Sequence, residues 1–217
     1  DTHVHVNEPG RTDWEGFAER SHQDTTRPYV VEAPSMCGSI KESMGYENYC
    51  LKLYDEPEMM EEIVEKRTEL ALEILPKAVE EADLDMMWFW EDMAYRNGPI
   101  ISPAMFEKLC VPRYRRLADW YRSRGGEIVA VDSDGDVRKL IPGWIEGGIN
   151  HIWPLEPFAG MNVAELRDEY GQAFSMRGGV DKFCVPKGRE AIDREIDKIA
   201  PVVQEGGYIP HIDHRLP

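Results

Sequence analysis

Six short apolar runs, separated by helical patterns, are the feature that most limits what this chain can fold into. Their apolar residues are continuous rather than alternating, which is typical of strands buried on both faces of a parallel sheet. Sequential strand–helix units favour a (β/α)8 TIM barrel or a doubly wound sheet. No Gly-x-Gly-x-x-Gly follows a strand, which weighs against a dinucleotide-binding fold. The runs are residues 28–34, 84–92, 127–135, 149–156, 174–182 and 208–214.

We therefore predict an α/β fold, an incomplete (β/α)8 TIM barrel with about six βα units and its first strands missing. The longest helical pattern covers 55–82, with Pro57 in its first turn. A second begins at Ser102-Pro103, and the polar stretch at 19–27 is typical of a linker or a seam. The predicted buried stripe of the longest helix is Met59, Ile63, Leu70 and Ile74.

Composition limits the partners and the compartment. The chain has 41 acidic and 25 basic residues, which gives a formal net charge of -16. Nucleic acid and anionic membranes attract basic patches, so we expect neither as a partner, and we expect a small-molecule substrate. Four scattered cysteines without Cys-x-x-Cys are typical of a reduced, cytoplasmic protein. A barrel that lacks strands has an open edge, which favours self-association as a homodimer.

Acidic residues and histidines follow the apolar runs where each predicted strand ends. In a parallel barrel these ends share one face, where catalytic residues lie. The sequence thus predicts one polar mouth, although solvated loops and helix caps, above all at Asp134 and Asp136, are the structural alternative. The residues are Glu91, Asp92, Asp132, Asp134, Glu156, Asp181, His211 and His214.

Two kinds of chemistry suit such a mouth. Asp132, Asp134 and His214 could hold a divalent metal such as zinc through oxygen and nitrogen ligands. Without a metal, a carboxylate of raised pKa beside a histidine serves as a general acid or base. Trp90 and Trp153 would be apolar walls for the substrate, with plain core packing as the alternative. The remaining predicted substrate contacts are Glu156 and His211.

Long ordered segments of the sequence are similar to one known family. WEDMAYRNGPIISP (90–103), VDSDGDVRKLIPGWIEGGINHIWPLE (131–156), MRGGVDK (176–182) and GGYIPHIDHRLP (206–217) resemble the uroporphyrinogen decarboxylase (URO-D) superfamily. The resemblance covers about 18–217 and implies a (β/α)8 barrel. It implies a lyase, a decarboxylase acting without a cofactor on a tetrapyrrole or another small substrate. The alternatives are a corrinoid-dependent methyltransferase of the same superfamily and a catalytically inactive fragment.

The family's residues carry over only in part. His214 occupies the position of the decarboxylase's active-site histidine. Asp92 occupies the position of a serine of the family, and Ile40 that of its active-site tyrosine. The resemblance therefore implies a role for His214 alone. Together with Asp92 and Asp181 from the strand ends, His214 forms our candidate catalytic set. In the methyltransferase branch, residues 132–134 occupy the first zinc-binding motif, and His214 the position of the last cysteine ligand.

The first 17 residues, DTHVHVNEPGRTDWEGF, resemble a different family. They are similar to the metal motif of allantoinase and dihydroorotase, in which a His-x-His pair binds zinc. The resemblance implies that His3 and His5 are ligands, yet the later motifs of those amidohydrolases have no counterpart here. We therefore divide the chain into 1–17, an amidohydrolase-like segment, and 18–217, the URO-D-like barrel fragment.

Overall fold

The structure, a computed structural model, describes residues 13–215, with side chains from residue 17 onward. The predicted zinc ligands His3 and His5 lie outside the described residues. In the described part, no helix combines the length and the apolar character that crossing a membrane requires. All four cysteines are free thiols, as the absence of paired spacings predicts.

Six parallel strands form one sheet, and they confirm the six predicted runs. Their order in the sheet is their order in the chain, so each strand–helix unit places its strand beside the previous one. The strands are β1 (Val30–Ala33), β2 (Met86–Trp90), β5 (Ile128–Asp132), β6 (His151–Leu155), β7 (Ser175–Val180) and β8 (Tyr208–Ile212). A two-stranded antiparallel hairpin, β3 (Ala94–Tyr95) and β4 (Gly98–Pro99), follows β2.

Helices alternate with the strands of the sheet along the chain. They are α1 (Asp13–Gln23), α2 (Gly38–Met44), α3 (Tyr46–Asp55), α4 (Pro57–Glu81), α5 (Pro103–Leu109), α6 (Val111–Arg122), α7 (Ile141–Glu146), α8 (Val163–Tyr170) and α9 (Arg189–Glu205). A 3-10 helix, Lys182–Lys187, leads into α9.

The core lies between the sheet and these helices. Met87, Phe89, Val131 and Met176 are buried there from alternate strand positions. Since successive strand residues point to opposite faces, Trp88, Trp153 and Arg177 lie on the other, concave face. The polar mouth is built at the upper rim of this concave face.

The predicted buried stripe of α4 was wrong for Leu70 and Ile74, whereas Met59 and Ile63 are half-buried against the core. The buried stripe of α4 is Met60, Val64, Thr68, Ala71, Leu75 and Ala78. Leu70 and Ile74 are 48% and 50% exposed, because the stripe begins one residue later than the apolar pattern alone indicates. The polar stretch at 19–27 is not simply a linker, since α1 continues to Gln23 and the Ser21 hydroxyl accepts a hydrogen bond from the Asp83 amide at 3.0 Å.

Candidate active site

The carboxyl ends of the strands bring the predicted polar residues to one edge of the sheet. Asp92 follows β2, Asp132 ends β5, and Glu156 follows β6. Asp181 and His214 follow β7 and β8. All six strands are parallel, so these ends open on the same side.

The closest group in this mouth is an acid–histidine triad of Asp134, Glu156 and His214. The Nε2 atom of His214 is 3.1 Å from Oδ1 of Asp134, and its Nδ1 atom is 3.3 Å from Oε1 of Glu156. One potential ligand atom of each residue lies within 4.8 Å of the others, and all three side chains are half-buried. The arrangement is compact enough for three ligands to converge on one ion.

The loop after β5 positions Asp134. Gly135 has a φ of +86°, and a Cβ at this position would lie 2.7 Å from the backbone of Ala94 in the β3–β4 hairpin. The close contact between this loop and the hairpin therefore requires a glycine. The amide of Gly135 donates to Oε2 of Glu156 at 2.6 Å. The buried Ser133 hydroxyl accepts from the Met93 amide at 2.9 Å, which ties this loop to the segment that follows β2.

A second acidic group, Asp92, Asp132 and Asp134, adjoins the triad. The potential ligand atoms of these three carboxylates also lie within 4.8 Å of one another. Burial, followed by the like charges of Asp92 and Asp134, raises the pKa of Asp132 to about 7, although a hydrogen bond from Trp153 opposes the rise. Burial and Asp92 also raise the pKa of Asp134, whereas His214 opposes this. The mouth therefore concentrates negative charge that a cation would offset.

Asp92 has an unusual backbone. Its φ of +42° is rare for a residue other than glycine and is found at functional sites more often than elsewhere. The Lys41 ammonium donates to the carbonyl oxygen of Asp92 at 2.7 Å, and Oδ1 of Asp92 accepts from the Asp134 amide at 3.4 Å. These contacts fix Asp92 at the rim.

Glu91, predicted at the mouth, lies instead on the opposite side of its strand. Its carboxylate is fully buried and accepts from the amides of Met36 and Cys37, both at 2.7 Å. It also accepts from the Gly38 amide at 3.1 Å and the Tyr114 hydroxyl at 2.6 Å. Because neighbouring strand residues face opposite ways, only Asp92 of the pair reaches the mouth. Glu91 thus holds the start of α2 against the sheet.

The other predicted residues lie at the rim or on the concave wall. Asp181 is half-buried and accepts from the Phe183 amide at 2.9 Å, which caps the 3-10 helix. His211 is exposed on β8, and its Nδ1 atom contacts the carbonyl of Ile212. Trp90 is half-buried at the end of β2, and the Trp153 ring lies 5.4 Å from that of Trp88.

The residues that lie close together in the structure differ from the predicted set of metal ligands. Asp134 and His214 lie in one triad, and its third member is Glu156, which the sequence analysis assigns to substrate contact. Asp132 belongs to the second group, with Asp92. Asp136 lies outside both groups, where the Arg138 side chain donates to its two carboxylate oxygens at 2.8 Å and 2.7 Å.

The fold and the mouth together define an α/β barrel-type protein with its polar residues at the carboxyl ends of parallel strands. Residues 31–217 match the family model described as uroporphyrinogen decarboxylase (URO-D), and the chain belongs to this family. A solved structure described as a methyltransferase from Methanosarcina mazei matches with a TM-score of 0.66 and 16% identity. The match covers 94% of this chain and 58% of that one, so the chain spans less than two thirds of its length. The predicted family and fold are confirmed, and the six-stranded sheet is consistent with a partial TIM barrel.

Proposed function

We propose that this chain forms the active site of a URO-D family enzyme that removes a carboxyl group from a small molecule with the help of a divalent metal. The observation that carries the proposal is the position of the His214 imidazole between two carboxylates. A neutral imidazole has one N–H, so it cannot donate to Asp134 and Glu156 at once. The Nδ1 atom of His214 is buried and lacks a well-oriented hydrogen-bond partner, which suits a nitrogen reserved for a ligand.

The donor set fits a divalent first-row cation. Asp134 and Glu156 offer carboxylate oxygens and His214 offers an imidazole nitrogen, a combination that suits zinc, manganese or iron. The ion would supply positive charge for a substrate oxygen and would offset the repulsion among the carboxylates. An anionic substrate could then enter a mouth that otherwise repels it.

The protein's own residues would handle the proton and the orientation of the substrate. Decarboxylation leaves the electron pair of the broken C–C bond on the substrate carbon, and a proton must be added there. Asp92 and Asp132 lie beside the triad and are the candidate donors. Trp153, which forms part of the concave wall, would shield the reacting carbon from water.

The test measures CO2 release from a panel of small carboxylic acids and from uroporphyrinogen, with the protein loaded with Zn²⁺, Mn²⁺ or Fe²⁺. We expect release that stops on chelation and falls at least a hundredfold in Glu156→Gln. Asp136→Asn is the matched control, because this neighbouring acid pairs with Arg138 and should leave activity unchanged. Release that persists in the presence of a chelator, or no release with any acid of the panel, would contradict the proposal.

The second candidate function is methyl transfer. It is favoured by the positions of Asp134 and His214, which the family resemblance aligns with the zinc ligands of the methyltransferase branch. The thiolate ligands of that branch are replaced here by oxygen and nitrogen, which makes activation of a substrate thiol weaker. Methylation of a thiol from methylcobalamin by the Zn²⁺-loaded protein, in the absence of CO2 release, would favour this candidate.

A further inference from the structure

His214 lies just outside the sheet, so its position depends on the bend that follows β8. The strand ends at Ile212, and Asp213 and His214 form the bend. A bend lacks the regular ladder of hydrogen bonds that fixes side chains on a strand. Yet the imidazole stands between two carboxylates, with Nε2 3.1 Å from Oδ1 of Asp134 and Nδ1 3.3 Å from Oε1 of Glu156. Another contact must therefore hold the bend in place.

The Asp213 side chain supplies this contact. Only 5% of the residue is exposed, and its Oδ1 atom accepts from the His214 amide at 3.0 Å and from the Lys182 amide at 3.3 Å. Its Oδ2 atom lies 3.7 Å from Nζ of Lys182 and has no hydrogen bond to a described residue. The backbone amide of Asp213 donates to the Val180 carbonyl at 3.1 Å. One buried residue thus joins the loop after β7 to the bend that carries His214.

We propose that Asp213 is a positioning residue that sets the His214 imidazole between Asp134 and Glu156. Its role in catalysis rests on the proposed function, whereas its effect on the position of the ring does not. A buried carboxylate costs stability unless it is paired and hydrogen-bonded. The two amides and the Lys182 ammonium offset this cost only when the two loops lie as they do here. The arrangement that satisfies Asp213 is therefore the one that places His214.

Glu195 provides a matched comparison, because it is a buried carboxylate that contacts the same loop. It is 7% exposed, and its Oε1 atom accepts from the Asp181 amide at 3.3 Å. Its Oε2 atom accepts from Nζ of Lys198, in the same helix α9, at 2.6 Å. Both partners lie outside the bend after β8. Glu195→Gln should therefore cost stability without moving His214.

The experiment compares crystal structures of the metal-free wild type, Asp213→Ala, Asp213→Asn and Glu195→Gln. We expect the His214 ring to move by about 1 Å or more in Asp213→Ala, a displacement large enough to matter for catalysis. The ring should keep its position in Asp213→Asn, because asparagine retains an oxygen for the two amides, and in Glu195→Gln. If Asp213→Ala does not fold, Asp213→Ser takes its place with the same expectation, since its shorter side chain would not span the two loops.

Zn²⁺ affinity, measured by isothermal titration calorimetry, separates positioning from a general loss of stability. It should fall about tenfold in Asp213→Ala and by less than about threefold in Asp213→Asn and Glu195→Gln, although urea unfolding should show all three to be less stable. An unmoved ring in Asp213→Ala, or equal losses of Zn²⁺ affinity in Asp213→Ala and Glu195→Gln, would overturn the assignment. A wild type that binds no Zn²⁺ would contradict the proposed function, and the metal-free crystal structures would still decide whether Asp213 positions the ring.

Discussion

Replacing Asp132 with asparagine is expected to stabilise the metal-free protein at pH 8 and to leave it nearly unchanged at pH 4. In the folded chain the pKa of Asp132 is about 7, raised from its ordinary value of 3.8 by burial and then by Asp92 and Asp134. A group whose pKa is raised on folding stabilises the protein least at high pH, because stability is lost as the pH rises through the folded pKa. Asparagine removes this charge and can still accept the hydrogen bond from Trp153.

The magnitude follows from the difference between the two pKa values. A difference of about 3 in pKa corresponds to about 4 kcal/mol at about 1.4 kcal/mol for each unit, reached above pH 7. Because Asp132 is only half-buried, solvent screens part of this cost. We therefore expect the gain from Asp132→Asn to grow by about 2–4 kcal/mol between pH 4 and pH 8.

The assay is urea unfolding of both proteins in EDTA at several pH values, with Asp136→Asn as control. Arg138 holds the pKa of Asp136 below its ordinary value, so this substitution should not stabilise the protein at pH 8. A gain from Asp132→Asn that is equal at pH 4 and pH 8, or a loss that grows with pH, would refute the reasoning about crowded carboxylates.

Three further predictions concern the residues around the mouth. Glu91→Gln should destabilise the protein by about 3 kcal/mol in urea unfolding, because an amide nitrogen would face backbone N–H donors in a buried site. A loss of stability below about 1 kcal/mol would contradict this prediction. Gly135→Ala should lower the melting temperature by several degrees and weaken Zn²⁺ binding, because φ at this position is +86° and the new Cβ would lie 2.7 Å from the Ala94 backbone. Unchanged Zn²⁺ affinity in this variant would show that the loop does not position Asp134. Burial lowers the pKa of His151 to about 4, so wild-type stability should fall by up to about 3 kcal/mol from this group as the pH drops from 6.5 to 4. In a series of unfolding curves at different pH values, His151→Gln should show a smaller loss of stability over this range. An equal loss in the variant and the wild type would contradict the prediction.

The six strands were predictable because each lies in a short β-rich run between two helical patterns. Burial on both faces, expected from the sequence, is seen only in part, since Trp88, Trp153 and Arg177 on the second face are half-buried. The common edge of the polar residues followed from the parallel arrangement alone. By contrast, the stripe on α4 was shifted, since Leu70 and Ile74 are as apolar as the residues that are buried. Which side of a helix packs inward depends on the partner surface, and local pattern does not specify it.

The side-chain grouping in the mouth was harder to predict for a geometric reason. Glu91 and Asp92 look equivalent as neighbours in sequence, yet strand alternation sends one into the core and the other to the rim. The partner of His214 depends on distances between strands, which sequence spacing does not give.

The central claim is that Asp134, Glu156 and His214 bind one divalent metal ion. An anomalous difference map at the zinc edge, from crystals grown with Zn²⁺, tests it most directly. The account predicts one strong peak at about 2.0–2.2 Å from a carboxylate oxygen of Asp134 and of Glu156 and from a ring nitrogen of His214. A map with no peak among these three residues, or with its strongest peak at another site such as His22 and Asp83, would contradict the account.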